Sequence, residues 1–178
     1  MRRFWTIAVG LVVMLAAGLA CKEKTKATTL AGGEKISICV LSDRGKTSAM
    51  TEDQRKSRDQ VGEIMEPDLI RILNSAGYEA KLVQKSDECS LGKGKYLLKV
   101  TIVSYNPGSK AARILVGYGA GATSQNNHYE LIGEGGKTIL AYDDGVGSSR
   151  DWRNSIRKLN ENTSERITQK LNEELHGK

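Results

Sequence analysis

Few residues in this chain of 178 carry chemistry, and their spacing narrows what they can do. Gly117-Tyr118-Gly119-Ala120-Gly121 is the kind of run whose backbone amides cradle a phosphate, with Arg113 just upstream as a companion charge. A nucleotide fold, however, places such glycines after its first strand and at the start of a helix, with an acidic residue about 20 positions further on. Here they follow a late strand-like run and lead into Ala122-Thr123-Ser124 and another strand, so close backbone approach or a tight bend is the better use of them. Arg113 then pairs with Asp143 or Asp144 to fix the bend, or lines a cleft. The two histidines do not combine: His128 stands alone in a strand-like run and His176 lies in the terminal tail. Neither an H-x-x-x-H nor a C-x-x-C spacing occurs, which argues against a metal or redox centre. Ser148 and Ser149 sit in a Gly-Ser turn without a G-x-S-x-G elbow. Asp143-Asp144-Gly145 lacks the alternating oxygens and closing glutamate of a calcium loop, and reads as a turn. With no nucleophile to pair with a base, the expectation is a protein that is not an enzyme, with no catalytic residues, metal or cofactor.

The three cysteines carry more information. Met1-Arg2-Arg3 is a cationic start, Phe4 to Leu15 an almost unbroken apolar run, and small residues lead from there to Cys21. These are the parts of a secretory leader. The run is short of the roughly 20 apolar residues that a membrane span needs, and charge returns at once with Lys22, Glu23, Lys24 and Lys26. Gly18-Leu19-Ala20-Cys21 resembles the lipobox of bacterial lipoproteins, in which the cysteine thiol takes a diacylglycerol and the leader is cut just before it. The resemblance implies a signal peptide over 1–20, a lipidated flexible tether over 21–34 and a single domain over 35–178. Lys22 following Cys21 implies, by the sorting logic of enteric bacteria, the outer membrane facing the periplasm. In that oxidising compartment the remaining pair, Cys39 and Cys89, is expected to form a structural disulfide joining a strand to a neighbouring strand or loop. The alternative for Cys39 is a small buried hydrophobe.

Charge and composition exclude other roles. The net charge of +6 is spread along the chain, and only 5% of residues are aromatic. A nucleic-acid binder would show a basic stripe interleaved with aromatics, so no nucleic-acid partner is expected.

The elements that position these residues follow from period and punctuation. Lys35 to Asp43 alternates Ile36, Ile38 and Val40 with Lys35, Ser37 and Cys39, the pattern of a half-buried strand. Thr51-Glu52-Asp53-Gln54 fits a capping box. After it, Val61, Ile64, Met65, Leu69, Ile72, Leu73 and Ala76 recur at helical spacing, and Gly77 is placed to end the helix. Pro67 is expected to kink that helix or to start a second one. Strands are predicted over 78–84, 95–105, 127–133 and 137–143, the last two joined by a hairpin at Glu134-Gly135-Gly136. A long polar helix from about Arg150 to Leu175 closes the chain, with a narrow stripe of Trp152, Ile156, Leu159, Ile167, Leu171 and Leu175. The sum is an α+β fold: a mixed or antiparallel sheet of about five strands against one N-terminal and one long C-terminal helix.

Gly108 to Gly121, "GSKAARILVGYGAG", resembles the signature of the bacterial family called domain of unknown function 4410, found largely in secreted lipoproteins. The matching positions are Gly108, Ser109, Ala111, Ala112, Arg113, Gly117, Gly119, Ala120 and Gly121. The order of strand, helix, long strand, glycine motif, hairpin and terminal helix agrees with it. The family has no assigned activity, so the resemblance implies a small α+β envelope domain and nothing catalytic. The expected function is a lipid-anchored scaffold, adaptor or binding module that meets another envelope protein or a second copy of itself. The rival is a small-ligand or hydrolytic domain using Arg113, Gly117, Gly119 and Gly121.

Overall fold

The computed structural model describes residues 33–108, 122–148 and 152–176. The first described element is strand β1, Ser37–Asp43, followed by helix α1, Glu52–Ala76. Strands β2, Glu79–Val83, β3, Lys95–Asn106, β4, Thr123–Ile132, and β5, Thr138–Ser148, come next, and helix α2, Trp152–His176, ends it. They form one five-stranded sheet in the order β2-β1-β3-β4-β5. β1 runs parallel to both β2 and β3, while β4 and β5 are antiparallel to their neighbours, so the sheet is mixed. Among the described residues no helix is long and apolar enough to cross a membrane.

Local chemistry sets the helix ends. Thr51 and Gln54 close a capping box in which each side chain satisfies the other's backbone amide. Gly77 adopts φ 110° and returns its amide to Asn74 and Leu73, a left-handed stop that a side chain would strain. Pro67 does not start a second helix, since α1 runs through it. The carbonyl it deprives of a donor is that of Glu63, and both residues are exposed, so that side of the helix is open to solvent.

Both helices lie on one face of the sheet. Ile38, Val40, Leu98, Val100, Tyr129 and Leu131 meet Val61, Met65, Leu69 and Leu73 of α1, and Ile156, Ile167 and Leu171 of α2, in one large core. A buried hydrogen bond of 2.9 Å from Tyr78 Oη to Thr168 Oγ1 ties the end of α1 to α2. On the other face Cys39, Val83, Cys89, Leu97 and Ile132 make a second, small cluster. There the loop after β2 folds back over the sheet, held by a disulfide between Cys39 and Cys89 whose Cα atoms are 6.0 Å apart.

The expected architecture is met, with three differences. The first helix is the second element and follows β1. Asp143-Asp144-Gly145 is no turn but part of β5, which continues to Ser148, and β4 begins at Thr123. Ser148 is therefore a strand residue. The acids are tolerated in a strand because each finds a partner on a neighbouring element: Asp143 on His128 and Asp144 on Asn162. Tertiary contacts override turn propensity here.

Candidate functional site

The residues of most chemical interest gather where β1 ends, α1 begins and β3 runs out toward the glycine motif. Asp43, Arg44 and Gly45 leave β1 beneath the first half of α1. Arg44 lies across the helix and holds Glu66 by two parallel bonds, Nε to Oε1 at 3.0 Å and Nη2 to Oε2 at 2.9 Å. Its Nη1 donates to Asp59 Oδ1 at 2.9 Å, and Lys46 Nζ reaches the same oxygen at 2.9 Å. Gly62 makes room for this, because a Cβ there would collide with the Arg44 side chain. Hydrogen bonding to Glu66, and then to Asp59, raises the Arg44 pKa. Lys46, then Arg44, pulls the Asp59 carboxyl below its ordinary value.

One turn away, Arg58 is handled differently. It is 7% exposed and, among the described residues, has no carboxylate in salt-bridge contact. Its donors go to main-chain carbonyls: Nη1 to Ile102 at 2.6 Å and to Arg44 at 3.0 Å, Nη2 to Val103 at 3.2 Å. Ile102 and Val103 lie where the pairing of β3 with β4 slips, and a bulge leaves backbone groups in need of partners. Gly45, at φ +61°, lets the chain pass so close that a Cβ would meet both the Ile102 carbonyl and Arg58. Burial lowers the Arg58 pKa, and the field of Asp43 offsets this in part.

The inner face of the sheet also turns polar toward this end. Thr123, Gln125 and Asn127 of β4 are buried beneath the helices. Gln125 Nε2 donates to Asn127 Oδ1 and Asn127 Nδ2 to Tyr129 Oη, each at 2.9 Å, and both amides reach the Met65 sulfur. Asn160 Nδ2 of α2 donates to the Met65 carbonyl at 3.1 Å and to Asp68 at 3.0 Å. This chain of bonds specifies how α1, α2 and β4 meet.

The expected sites divide sharply. Cys39 and Cys89 are bonded to each other, strand to loop. Cys21, Arg113, Gly117, Gly119 and Gly121 lie outside the described residues. What is described of the glycine motif is its frame: Gly108 donates its amide to Asn106 Oδ1 at 2.9 Å, and Thr123 Oγ1 donates to the Pro107 carbonyl at 3.1 Å, so the two ends are pinned side by side. His128 is paired rather than alone, with Nδ1 2.6 Å from Asp143 Oδ1 across the strands. Sequence reasoning missed Arg44 and Arg58. The signal for Arg58 was present: it continues the inward stripe of Val61, Met65 and Leu69 back by one turn.

A five-stranded mixed sheet with two helices on one face and a bonded cysteine pair on the other defines a small α+β domain. The chain belongs to the family described as Domain of unknown function (DUF4410), whose model matches residues 29–149. No curated protein matches it. Among solved structures it is similar to a PelC variant from Paraburkholderia phytofirmans, described as a dodecamer, with 14% identity, 76% of this chain and 92% of that one covered, and a TM-score of 0.45. It is also similar to a protein from Helicobacter pylori described as a homolog of neuraminyllactose-binding hemagglutinin, with 11% identity, 87% and 91% coverage and a TM-score of 0.36.

Proposed function

We propose that this chain is a lipid-anchored protein of the bacterial cell envelope, held at the outer membrane on its periplasmic side, whose domain serves as a scaffold or adaptor and not as an enzyme. The observation that carries this reading is the bond between Cys39 and Cys89, in a chain whose residues 1–20 read as an apolar leader before Cys21. Such a bond persists in an oxidising compartment and is rare in the cytosol. Two or three acyl chains on Cys21 would hold the domain firmly, where a single chain is marginal.

An adaptor needs a surface that accepts another chain, and β5 supplies one. It is 11 residues long, and among the described residues its outer edge pairs with no strand. An unpaired edge is a template for a further strand, from an envelope partner or from a second copy. The test has two parts. Intact mass of the protein extracted from membranes should lack the leader and exceed the bare polypeptide by acyl groups; an unmodified full-length chain in the cytosol would overturn the anchoring. A photocrosslinker at Ala141 on β5 should capture one envelope protein or a second copy in cells. Capture from a control position at Glu63 on α1, with none from Ala141, would overturn the edge as the docking surface.

A further inference from the structure

Arg58 satisfies three carbonyls and still has donors left. Its bonds to Ile102, Arg44 and Val103 are made by Nη1 and Nη2 and none by Nε. The Nε–H and the second Nη2–H form the side-on fork, the same edge with which Arg44 grips Glu66. Among the described residues the Nε of Arg58 has no acceptor, and Nη2 has one, the Val103 carbonyl, which leaves it a second N–H. Arg58 lines a cavity of about 180 Å³ between the first turns of α1 and the end of β3. Ser57 and Tyr105, two further lining residues, have hydroxyls without a partner among the described residues, and Gln54 uses only its oxygen in the capping box, leaving its amide donors. Met50 and Pro107 add apolar wall. The Tyr105 phenol is protonated at neutral pH and so can donate, and burial raises its pKa further.

We propose that this cavity is a carboxylate-binding subsite in which the free Nε–Nη2 edge of Arg58 takes both oxygens of one carboxylate, with Ser57, Tyr105 and Gln54 donating around it. A buried cation with no carboxylate in contact is costly even where the field of Asp43 offsets part of that cost, and an incoming monoanion in direct contact offsets more of it. The fork has two parallel donors, which matches the two oxygens of a carboxylate. Asp53, also lining the cavity, adds a negative charge that disfavours a dianion such as phosphate. The inference is independent of the lipid anchor and of the β5 edge.

The carboxylate could come from a small free acid or from the end of a peptide chain. The test is NMR titration of the full chain in detergent at constant ionic strength, following the Arg58 Nε–H resonance in the wild type and the backbone amides of Gln54 and Ser57, which line the cavity, in the wild type and every variant. Sodium acetate should shift these resonances saturably, and inorganic phosphate should not. Arg58→Lys keeps a charge for the carbonyls but loses the fork, and should weaken acetate binding by about tenfold or more, the worth of a charge-assisted bond. Tyr105→Phe, which touches none of those carbonyls, should weaken it by about threefold to tenfold with the fold unchanged. N-acetyl-dialanine binding about tenfold tighter than acetate, with its amide inert, would identify a peptide terminus as the source; equal binding would identify a small acid. Absence of a saturable acetate shift, a preference for phosphate, or equal shifts in folded Arg58→Lys and Tyr105→Phe would each overturn the proposal.

Discussion

Leu97 and Leu98 are neighbours on β3, both buried, yet they belong to different solids. Leu98 points into the large core shared by the sheet and both helices, where nearly every neighbour is apolar and fixed by regular structure. Leu97 points the other way, into a cluster of five buried residues roofed by a loop. Burial alone does not distinguish them, at 1% and 3% exposure. The difference lies in what does the covering: on one face, the apolar stripes of two helices of 25 residues each; on the other, an irregular loop that buries too little to hold itself down and relies on a covalent tie. A small apolar patch becomes a stable part of a fold when chain entropy is removed from it by other means.

Substitutions can break this contrast. Leu98→Ala should cost about 4 kcal/mol in urea unfolding, because the surrounding helices cannot collapse into the cavity. Removing the tie with Cys39→Ser and Cys89→Ser together should cost about 2–4 kcal/mol, given that the bond closes a separation of 50 residues. That loss should appear in hydrogen exchange as opening of the loop after β2, with the amides of β4 still protected. Leu97→Ala should cost about 2 kcal/mol, at the low end of its class, since a loop can settle where helices cannot. Its effect and that of the cysteine pair should fall short of additive, because they share one cluster.

A subtler contrast concerns pH. Asp59 has a folded-state pKa below its ordinary value of 3.8, chiefly through Lys46 and then Arg44. Its contribution to stability is therefore present above the ordinary value and is lost as pH falls through the lowered one. Comparing wild type with Asp59→Asn in urea unfolding at about pH 6 and about pH 3 should show a smaller acid loss in the variant. The smallest effect should come from Val103→Thr. Although Val103 is a large apolar residue, it is 58% exposed on the open face, and the change should stay within about 0.5 kcal/mol.

Much of the fold was legible in the sequence, for identifiable reasons. The capping box at Thr51, the stop at Gly77 and the glycines of the β4–β5 hairpin act locally, so a short window contains their cause. The cysteine pair was legible from the parity of the two cysteines left beside Cys21 and from the oxidising compartment that the leader-like start led us to expect. The reach of β5 past Asp143 was not, because its justification lies on His128 and Asn162, distant in sequence and adjacent only in space. The polar corner was legible only in part. Arg58 stands on the inward stripe of α1, but the bulge in β3 and the close pass of Gly45, which bring main-chain carbonyls to it, are tertiary features, and Arg44 meets Glu66 and Asp59 only once the chain has folded.

Among the described residues β1 is the first strand, yet it lies inside the sheet with a parallel neighbour on each side. A pull arriving from the N-terminal side enters along the strand axis and loads both hydrogen-bonded ladders in shear, so that many bonds share the load instead of opening one by one. A domain tugged from that side resists like a lap joint rather than a zip.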